Sequence, residues 1–230
     1  LRIDTGRFLP TWGVVKRALH ISLPMGLQQT IMCSAYVMTT IIIAPLGTFA
    51  IAANSFGVIV ESLCYMPGYG IADAATTLVG QSIGAGRHEL MKRFAWLSVG
   101  LGVTVMAVMG VVMYVGAPVA MAMMTPAEEV RRLGVEVLRI EAFAEPMFAA
   151  AIVSYGVFVG AAKTLVPSIM NLVSIWGVRI SLAALLAPSM GLRGVWIAMC
   201  IELCFRGFIF LVKLKFWNIQ TSCNYYGKDQ

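Results

Sequence analysis

Residues 94–117 read FAWLSVGLGVTVMAVMGVVMYVGA and contain no charged side chain. A helix needs about 20 apolar residues to cross the hydrocarbon core of a bilayer, so this stretch is long enough to form a transmembrane helix. The rest of the chain has the same character: of its 230 residues, 59% are hydrophobic and 12% are charged, and the mean hydropathy is +0.83. This composition excludes an ordinary soluble domain and a disordered chain.

Six apolar runs are long enough to span a membrane. They lie at about 19–43, 48–78, 94–117, 137–162, 165–188 and 193–215. All six must be helices, because an open strand or loop would leave backbone N–H and C=O groups unpaired in hydrocarbon. The sequence therefore predicts an all-α, polytopic membrane protein with a six-helix transmembrane lobe over residues 18–217. A connector at the membrane interface precedes it over residues 1–17, and a tail follows over residues 218–230.

The distribution of positive charge predicts the orientation of these helices. The formal net charge is +6, and 11 of the 17 Lys and Arg lie at residues 1–17, 86–93 and 163 and from residue 213 on. All of these positions fall on one side of a six-span bundle, whereas the opposite loops carry three. Because cytoplasmic loops of membrane proteins are enriched in Lys and Arg, we expect both ends of the chain to be cytoplasmic in a cell inner membrane. The basic residues thus indicate a bilayer partner and not nucleic acid.

No enzyme signature occurs in the chain. It has neither an HExxH nor a GxSxG pattern, and its five cysteines form no CxxC pair. We therefore expect no catalytic residue, no metal and no cofactor. The beginning of the chain, Leu-Arg-Ile-Asp, has no initiator Met and no signal peptide, and we expect it to be part of a longer protein.

The sequence also predicts where helices break and where they pack. Pro67 and Gly68 lie in the middle of the second run, and proline removes a helix hydrogen bond, so a kink or a locally unwound segment is predicted there. Small residues at a spacing of four let helices approach closely. Two strings have this form, and their glycines, predicted to pack helices together, are Gly80, Gly84, Gly86, Gly156 and Gly160.

Ionisable side chains within the apolar runs are the candidates for function. They are Glu61, Asp73, Arg139, Glu141, Glu145, Arg179, Glu202 and Arg206. A charge at mid-membrane costs about 2.5–3.5 kcal/mol on insertion scales, so these groups should face the bundle interior or water. We interpret Glu61, Glu141, Glu145 and Asp73 as candidates for an ion or substrate pathway, with Glu61 first.

Two of these assignments leave an alternative open. A buried carboxyl that binds a proton and releases it when water enters is a natural coupling element, but Glu61 could equally be hydrogen-bonded for packing. Glu141 and Glu145 are four residues apart and are predicted to share a helix face, either in the interior, where they would suit a proton or an organic cation, or in the outer headgroup region.

The remaining charges are predicted to be structural. Glu202 and Arg206 are four apart with the acid first, the favourable order for an ion pair within one helix. Arg179 has no partner within its own span, and Glu202 on the next helix is its predicted partner.

A set of strings spread over nearly the whole chain carries a family resemblance: residues 24–28, 44–47, 50–54, 61–63, 66–68, 74–86, 156–164, 176–179 and 196–202. Together these strings resemble the MATE family, the multidrug and toxic compound extrusion transporters. The resemblance implies a protein of twelve helices in two six-helix lobes, of which this chain is the C-terminal lobe. It further implies antiport by alternating access, in which proton or sodium influx drives the export of organic cations or drugs.

One departure from the family pattern concerns the coupling ion. Sodium-coupled members have an acidic residue at the positions that correspond to Met32 and Phe148, so that cation site is predicted to be absent. Coupling could then depend on Glu61, on Glu141 and Glu145, or on a carboxyl in the missing N-terminal lobe. Two alternatives to an antiporter are a lipid-linked oligosaccharide flippase of the same superfamily, which a strongly cationic cleft would favour, and an inactive truncated fragment.

Overall fold

The computed structural model describes residues 12–217, and this part of the chain contains helices and turns but no strand. The predicted all-α fold class is therefore confirmed. We number the helices α1 (Trp12–Ile43), α2 (Thr48–Gly84), α3 (His88–Met124), α4 (Glu128–Glu141), α5 (Glu145–Gly160), α6 (Leu165–Val173), α7 (Ser181–Met190) and α8 (Leu192–Lys215). A short 3-10 turn, Ala44–Leu46, follows α1, and a π-helical segment, Ser174–Ile180, joins α6 to α7.

Within the described residues, five helices are long and apolar enough to cross a membrane. They include the continuous segment Leu165–Met190, in which α6, the π-helical segment and α7 form one span. The sixth is a broken span: α4 and α5 are bent by 59° across the short break between them. Counted together, α4 and α5 complete the six predicted spans.

The second run does not unwind at Pro67 and Gly68. α2 is one helix from Thr48 to Gly84 with Pro67 inside it, and the other form of the prediction, a kink at Pro67, stays a prediction. Proline costs α2 one backbone hydrogen bond, and the helix does not end there. Gly68 instead lies against α3, where a Cβ atom would come within 3.2 Å of the Met106 sulfur.

Close contact between α2 and α5 depends on two glycines of the predicted set. A Cβ at Gly156 would lie 2.6 Å from the carbonyl oxygen of Ala72, and one at Gly160 would overlap the carbonyl oxygen of Thr76. The Thr76 hydroxyl also donates a hydrogen bond to the Gly156 carbonyl oxygen over 2.8 Å. Gly80 on α2 lies opposite Gly160, and a Cβ added to Gly80 would lie 3.4 Å from the Gly160 carbonyl oxygen.

The other two glycines of that set do not pack helices together. No atom lies within 4 Å of an added Cβ at Gly84 or at Gly86. Gly86 has a φ of +68°, so it serves the turn that ends α2, where L side chains rarely fit. The spacing missed a glycine that does pack, since Gly207 on α8 lies against the carbonyl of Met147 on α5.

The surface of the lobe is apolar, as a bilayer requires. On α3 alone, the large apolar side chains with more than half of their surface exposed are Leu97, Leu101, Val108, Val111, Val112, Val115, Val119 and Met123. In water such a surface would be an aggregation hazard, whereas lipid tails cover it without cost. The interior is packed around buried residues such as Trp196, Phe158 and Phe210.

Candidate functional site

Four glutamates converge on the interior of the lobe. Glu61 lies on α2, Glu141 at the end of α4, Glu145 at the start of α5 and Glu202 on α8. Glu61 is 7% exposed, Glu141 and Glu145 are 1% exposed, and Glu202 is fully buried. Glu141 and Glu145 thus face the protein interior and not its surface. We call Glu61, Glu141 and Glu145 the acidic cluster.

The acidic cluster lies at the break in the fourth span. The sequence predicted that Glu141 and Glu145 share one helix face, and this is not the case. α4 ends at Glu141 and α5 begins at Glu145. Pro146 accounts for part of this arrangement, since proline is accepted in the first turn of a helix and not in its interior. The bend brings both carboxyls inward, beside Glu61.

Three carboxyl oxygens of the cluster have no hydrogen-bond partner among the described residues. They are Oε2 of Glu141 and both Oε atoms of Glu145. Burying an unpaired carboxylate is very costly, so each group needs a proton or a cation that can approach it. Electrostatic interactions connect all three members, since Glu61 acts on both Glu141 and Glu145.

The fourth glutamate, Glu202, is bonded within the fold. Its Oε1 accepts a hydrogen bond of 2.6 Å from the Ser174 hydroxyl and lies 3.2 Å from Nε of Arg206, an ion-pair contact that lacks hydrogen-bond geometry. The predicted pair of Glu202 and Arg206 is therefore formed. The Arg206 guanidinium also lies over the ring of Phe148, with 5.4 Å between its Cζ and the ring centroid.

Arg179 does not pair with Glu202, and that prediction is wrong. Its Nη2 donates to the Met199 sulfur, its Cζ lies 5.8 Å from the centroid of the Tyr36 ring, and its Nε is buried without a partner in the described part of the chain. Ser174 occupies the position beside Glu202 that Arg179 was expected to fill. Arg179 interacts with Glu61 and Glu141 only at longer range.

Two other charged candidates lie outside the interior. Asp73 is exposed on α2, about 18 Å along the helix from Glu61. Arg139 is exposed and lies over the Tyr114 ring, 5.2 Å from its centroid, rather than against the glutamates that follow it in sequence. The apolar residues Met32 and Phe148, at the predicted sodium-site positions, are both half-buried.

The interior as a whole is suited to moving a small cation. In the segment from residue 12 to residue 217, no three His, Cys, Asp or Glu side chains converge closely enough to hold a metal ion. What the elements bring together is a set of carboxyls that differ in bonding: Glu202 is held by Ser174 and Arg206 through Oε1 alone, whereas neither oxygen of Glu145 has a partner among the described residues. A multi-pass helical protein with such an interior belongs among membrane transport proteins.

Comparison with known proteins identifies the family. The MatE family model matches residues 24–185, so the chain belongs to the MatE family, whose members are transporters and not enzymes. The chain is 29% identical over 197 residues to the probable multidrug resistance protein NorM of Xylella fastidiosa strain Temecula1, covering 85% of this chain and 42% of that protein. It is 26% identical over 210 residues to the NorM of Thermotoga maritima, covering 89% and 45%.

Solved structures share the fold of this chain. A crystal structure of MATE in the straight conformation matches with a TM-score of 0.86 at 18% identity, covering 97% of this chain and 51% of that one. An outward-facing MATE family transporter of the MOP superfamily matches with a TM-score of 0.83 at 18% identity, covering 93% and 48%. The chain thus spans about half the length of the relatives and structures that it matches.

Proposed function

We propose that this chain forms one six-helix lobe of a cation-coupled efflux antiporter, which exports organic cations or drugs from the cytoplasm across the plasma membrane. A second six-helix lobe completes the substrate cleft, and the two lobes alternate between inward-open and outward-open arrangements. The NorM relatives are named as probable multidrug resistance proteins, and each is about twice as long as the match. Both facts support a half-transporter with drug-like substrates.

The observation that carries the proposal is the buried, unpartnered state of Glu141 and Glu145 beside Glu61. A carboxyl in this position can exist without charge by holding a proton, or with charge by holding a cation. Because both occupants neutralise the same group, a proton and an organic cation exclude each other. This mutual exclusion is the elementary requirement of antiport.

The same geometry favours the proton over sodium as the coupling ion. A hard metal cation is held by several oxygen ligands at once, whereas a proton needs only one carboxyl oxygen. In the described part of the chain, the acidic side chains do not converge to the extent that a metal ion needs. We therefore assign proton coupling to the acidic cluster.

The test is ethidium efflux from cells that express the full-length protein, with the proton gradient and the sodium gradient collapsed in turn. We expect efflux to stop when the proton gradient is lost and to continue without a sodium gradient. Glu61→Gln, Glu141→Gln and Glu145→Gln should each reduce efflux close to the rate of cells without the protein. Asp73→Asn is the matched control, since it removes an exposed carboxyl from the same helix as Glu61 and should leave efflux unchanged.

Two results would contradict this assignment. Efflux that depends on the sodium gradient, with full activity in all three Glu→Gln variants, would exclude the acidic cluster from coupling. A full-length protein that moves no ethidium under any gradient but binds a lipid-linked oligosaccharide would instead support the flippase.

A further inference from the structure

A separate cavity opens between α1, α2, the π-helical segment and α8. Its volume is about 190 Å³, several times the roughly 30 Å³ that one water molecule takes in liquid. Its polar lining consists of Tyr36, Thr39, Thr40, Asn54, Ser55 and Arg179. No member of the acidic cluster lines it, so it is a distinct feature of the lobe interior.

Arg179 is the only ionisable cation in that lining, and its charge is not neutralised nearby. Among the described residues it makes no ion pair, and its Nε is buried without a hydrogen-bond partner. Its contacts are a thioether, which is a weak acceptor, and the face of the Tyr36 ring. An arginine at membrane depth normally faces a carboxylate or water, so Arg179 is prepared for an anion that the described chain does not supply.

The other polar groups around the cavity do not compete for Arg179. The Thr39 and Ser55 hydroxyls each donate 2.9 Å hydrogen bonds to carbonyls of their own helices. Asn54 accepts a hydrogen bond from Trp196 Nε1 through its side-chain oxygen over 3.1 Å, which directs its NH₂ group elsewhere as a donor. The cavity therefore presents a guanidinium and an amide donor, and the guanidinium fork matches the geometry of a carboxylate.

The positions of the charges define the substrate class. Arg179 and Glu61 interact electrostatically but do not form an ion pair, so a positive and a negative group stand apart in one interior. Tyr36, which forms one wall of the cavity, is 55% exposed, so the cavity is open at that side to an incoming molecule. A molecule that carries both charges could satisfy both groups at once.

We propose that the Arg179 cavity binds the carboxylate of zwitterionic substrates while their cationic group lies toward the acidic cluster. This inference rests on the proposed export function and deepens it, since it names the residue that would recognise the carboxylate of a substrate. Arg179 is thus a specificity-determining residue that distinguishes a substrate with a carboxylate from the same molecule without one.

The test compares rhodamine B, which carries a free carboxylate, with rhodamine B methyl ester, which is only cationic. Binding of each dye to the purified full-length protein is measured by fluorescence anisotropy. We expect rhodamine B to bind about tenfold more tightly than the ester, because a charge-assisted, two-pronged contact is made only with the acid. Arg179→Gln should abolish this preference by weakening rhodamine B binding alone, and Arg179→Lys should retain part of it. Arg139→Gln, which removes an exposed arginine, is the matched control and should retain all of it.

The outcomes separate this inference from the proposed function. Equal binding of both dyes to the wild type, or an unchanged preference in Arg179→Gln, would overturn the inference while leaving export of cations intact. If Arg179→Gln binds neither dye and also has a lower melting temperature, Arg179 has a structural role, and the inference is overturned as well.

A second measurement does not depend on dye binding. Benzoate, but not the neutral benzamide, should raise the melting temperature of the wild type and leave that of Arg179→Gln unchanged. If it does so in a protein that exports no dye, the carboxylate site stands and the export function fails. If benzoate and benzamide act alike on the wild type, the carboxylate site is rejected.

Discussion

Gly160 and Gly84 occupy the same position in two helices, each being the last residue before a turn, yet their surroundings differ. A side chain at Gly160 would collide with the backbone of Thr76 on α2, whose Cα lies 3.0 Å from the ideal Cβ position. Inserting a methyl group into such a contact costs about 1–3 kcal/mol. We predict that Gly160→Ala lowers the melting temperature of the full-length protein in detergent.

Gly84→Ala is the control for that substitution. Nothing lies within 4 Å of an added Cβ at Gly84, so alanine should be tolerated there with no loss of stability. Equal melting temperatures for the two variants would show that α2 and α5 can separate at no cost. The close contact at Gly160 would then not stabilise the lobe.

These two glycines also show how far sequence reasoning reaches at the residue scale. Both belong to strings of the same form, and the spacing cannot reveal which of them faces another helix. The same holds for the acidic residues. Their presence in apolar runs predicted that they belong to an ion or substrate pathway, but only the packed helices show that Glu145 has no hydrogen-bond partner and that Asp73 is exposed. Neighbours distant in sequence decide both outcomes.

At the scale of elements, the broken fourth span is what positions the acidic cluster. The break lies at Ala142, Phe143 and Ala144, just before Pro146 in the first turn of α5, so this proline is the local signal next to it. The number of spans was predictable because the bilayer thickness fixes the length that a span needs, and five of the six predicted spans are single segments in the structure. The helix lengths were not, since α3 has 37 residues, His88–Met124, where the sequence predicted a span over 94–117. The end of α4 was not predictable either, because α4 has an amphipathic pattern of its own that merges with the apolar run of α5.

An ion pair outside the cluster holds α4 against α8. Arg193, in the first turn of α8, places Nη2 at 2.6 Å and Nε at 2.7 Å from Oε2 of Glu136 on α4. Both side chains are partly exposed, so solvent screening limits the pair to about 0.5–1 kcal/mol. We predict that Arg193→Gln lowers the melting temperature of the full-length protein slightly.

A double-mutant cycle with Glu136→Gln measures that contact directly, since the two substitutions together should cost less than the sum of their separate effects. Lys92→Gln is the comparison, because Lys92 lies 3.8 Å from Glu89 in a more exposed pair within one helix. A coupling energy near zero for Arg193 and Glu136 would mean that α4 is held by its buried apolar face alone.

At the scale of the whole molecule, the exposed surface is apolar between two polar ends, as expected of a protein that crosses the bilayer. Turns at residues 85–87 and 161–164 lie at one end, since they follow the second and fourth spans, and residues 125–127 lie at the other. The sequence alone predicted this alternation because it depends only on counting spans. It did not predict the Arg179 cavity, whose walls come from four separate segments.

We propose the direction of the body in the membrane from its charges. Arg87 and Lys163 lie at the end with the turns at 85–87 and 161–164, and by the positive-inside rule we expect that end to be cytoplasmic. We predict that Ala85→Cys, in a cysteine-free full-length protein, reacts with a membrane-impermeant maleimide only after the cells are permeabilised. Glu129→Cys, exposed at the opposite end, should react in intact cells. Labelling of residue 85 and not of residue 129 in intact cells would reverse the orientation and place the cytoplasmic ends of the spans on the outside.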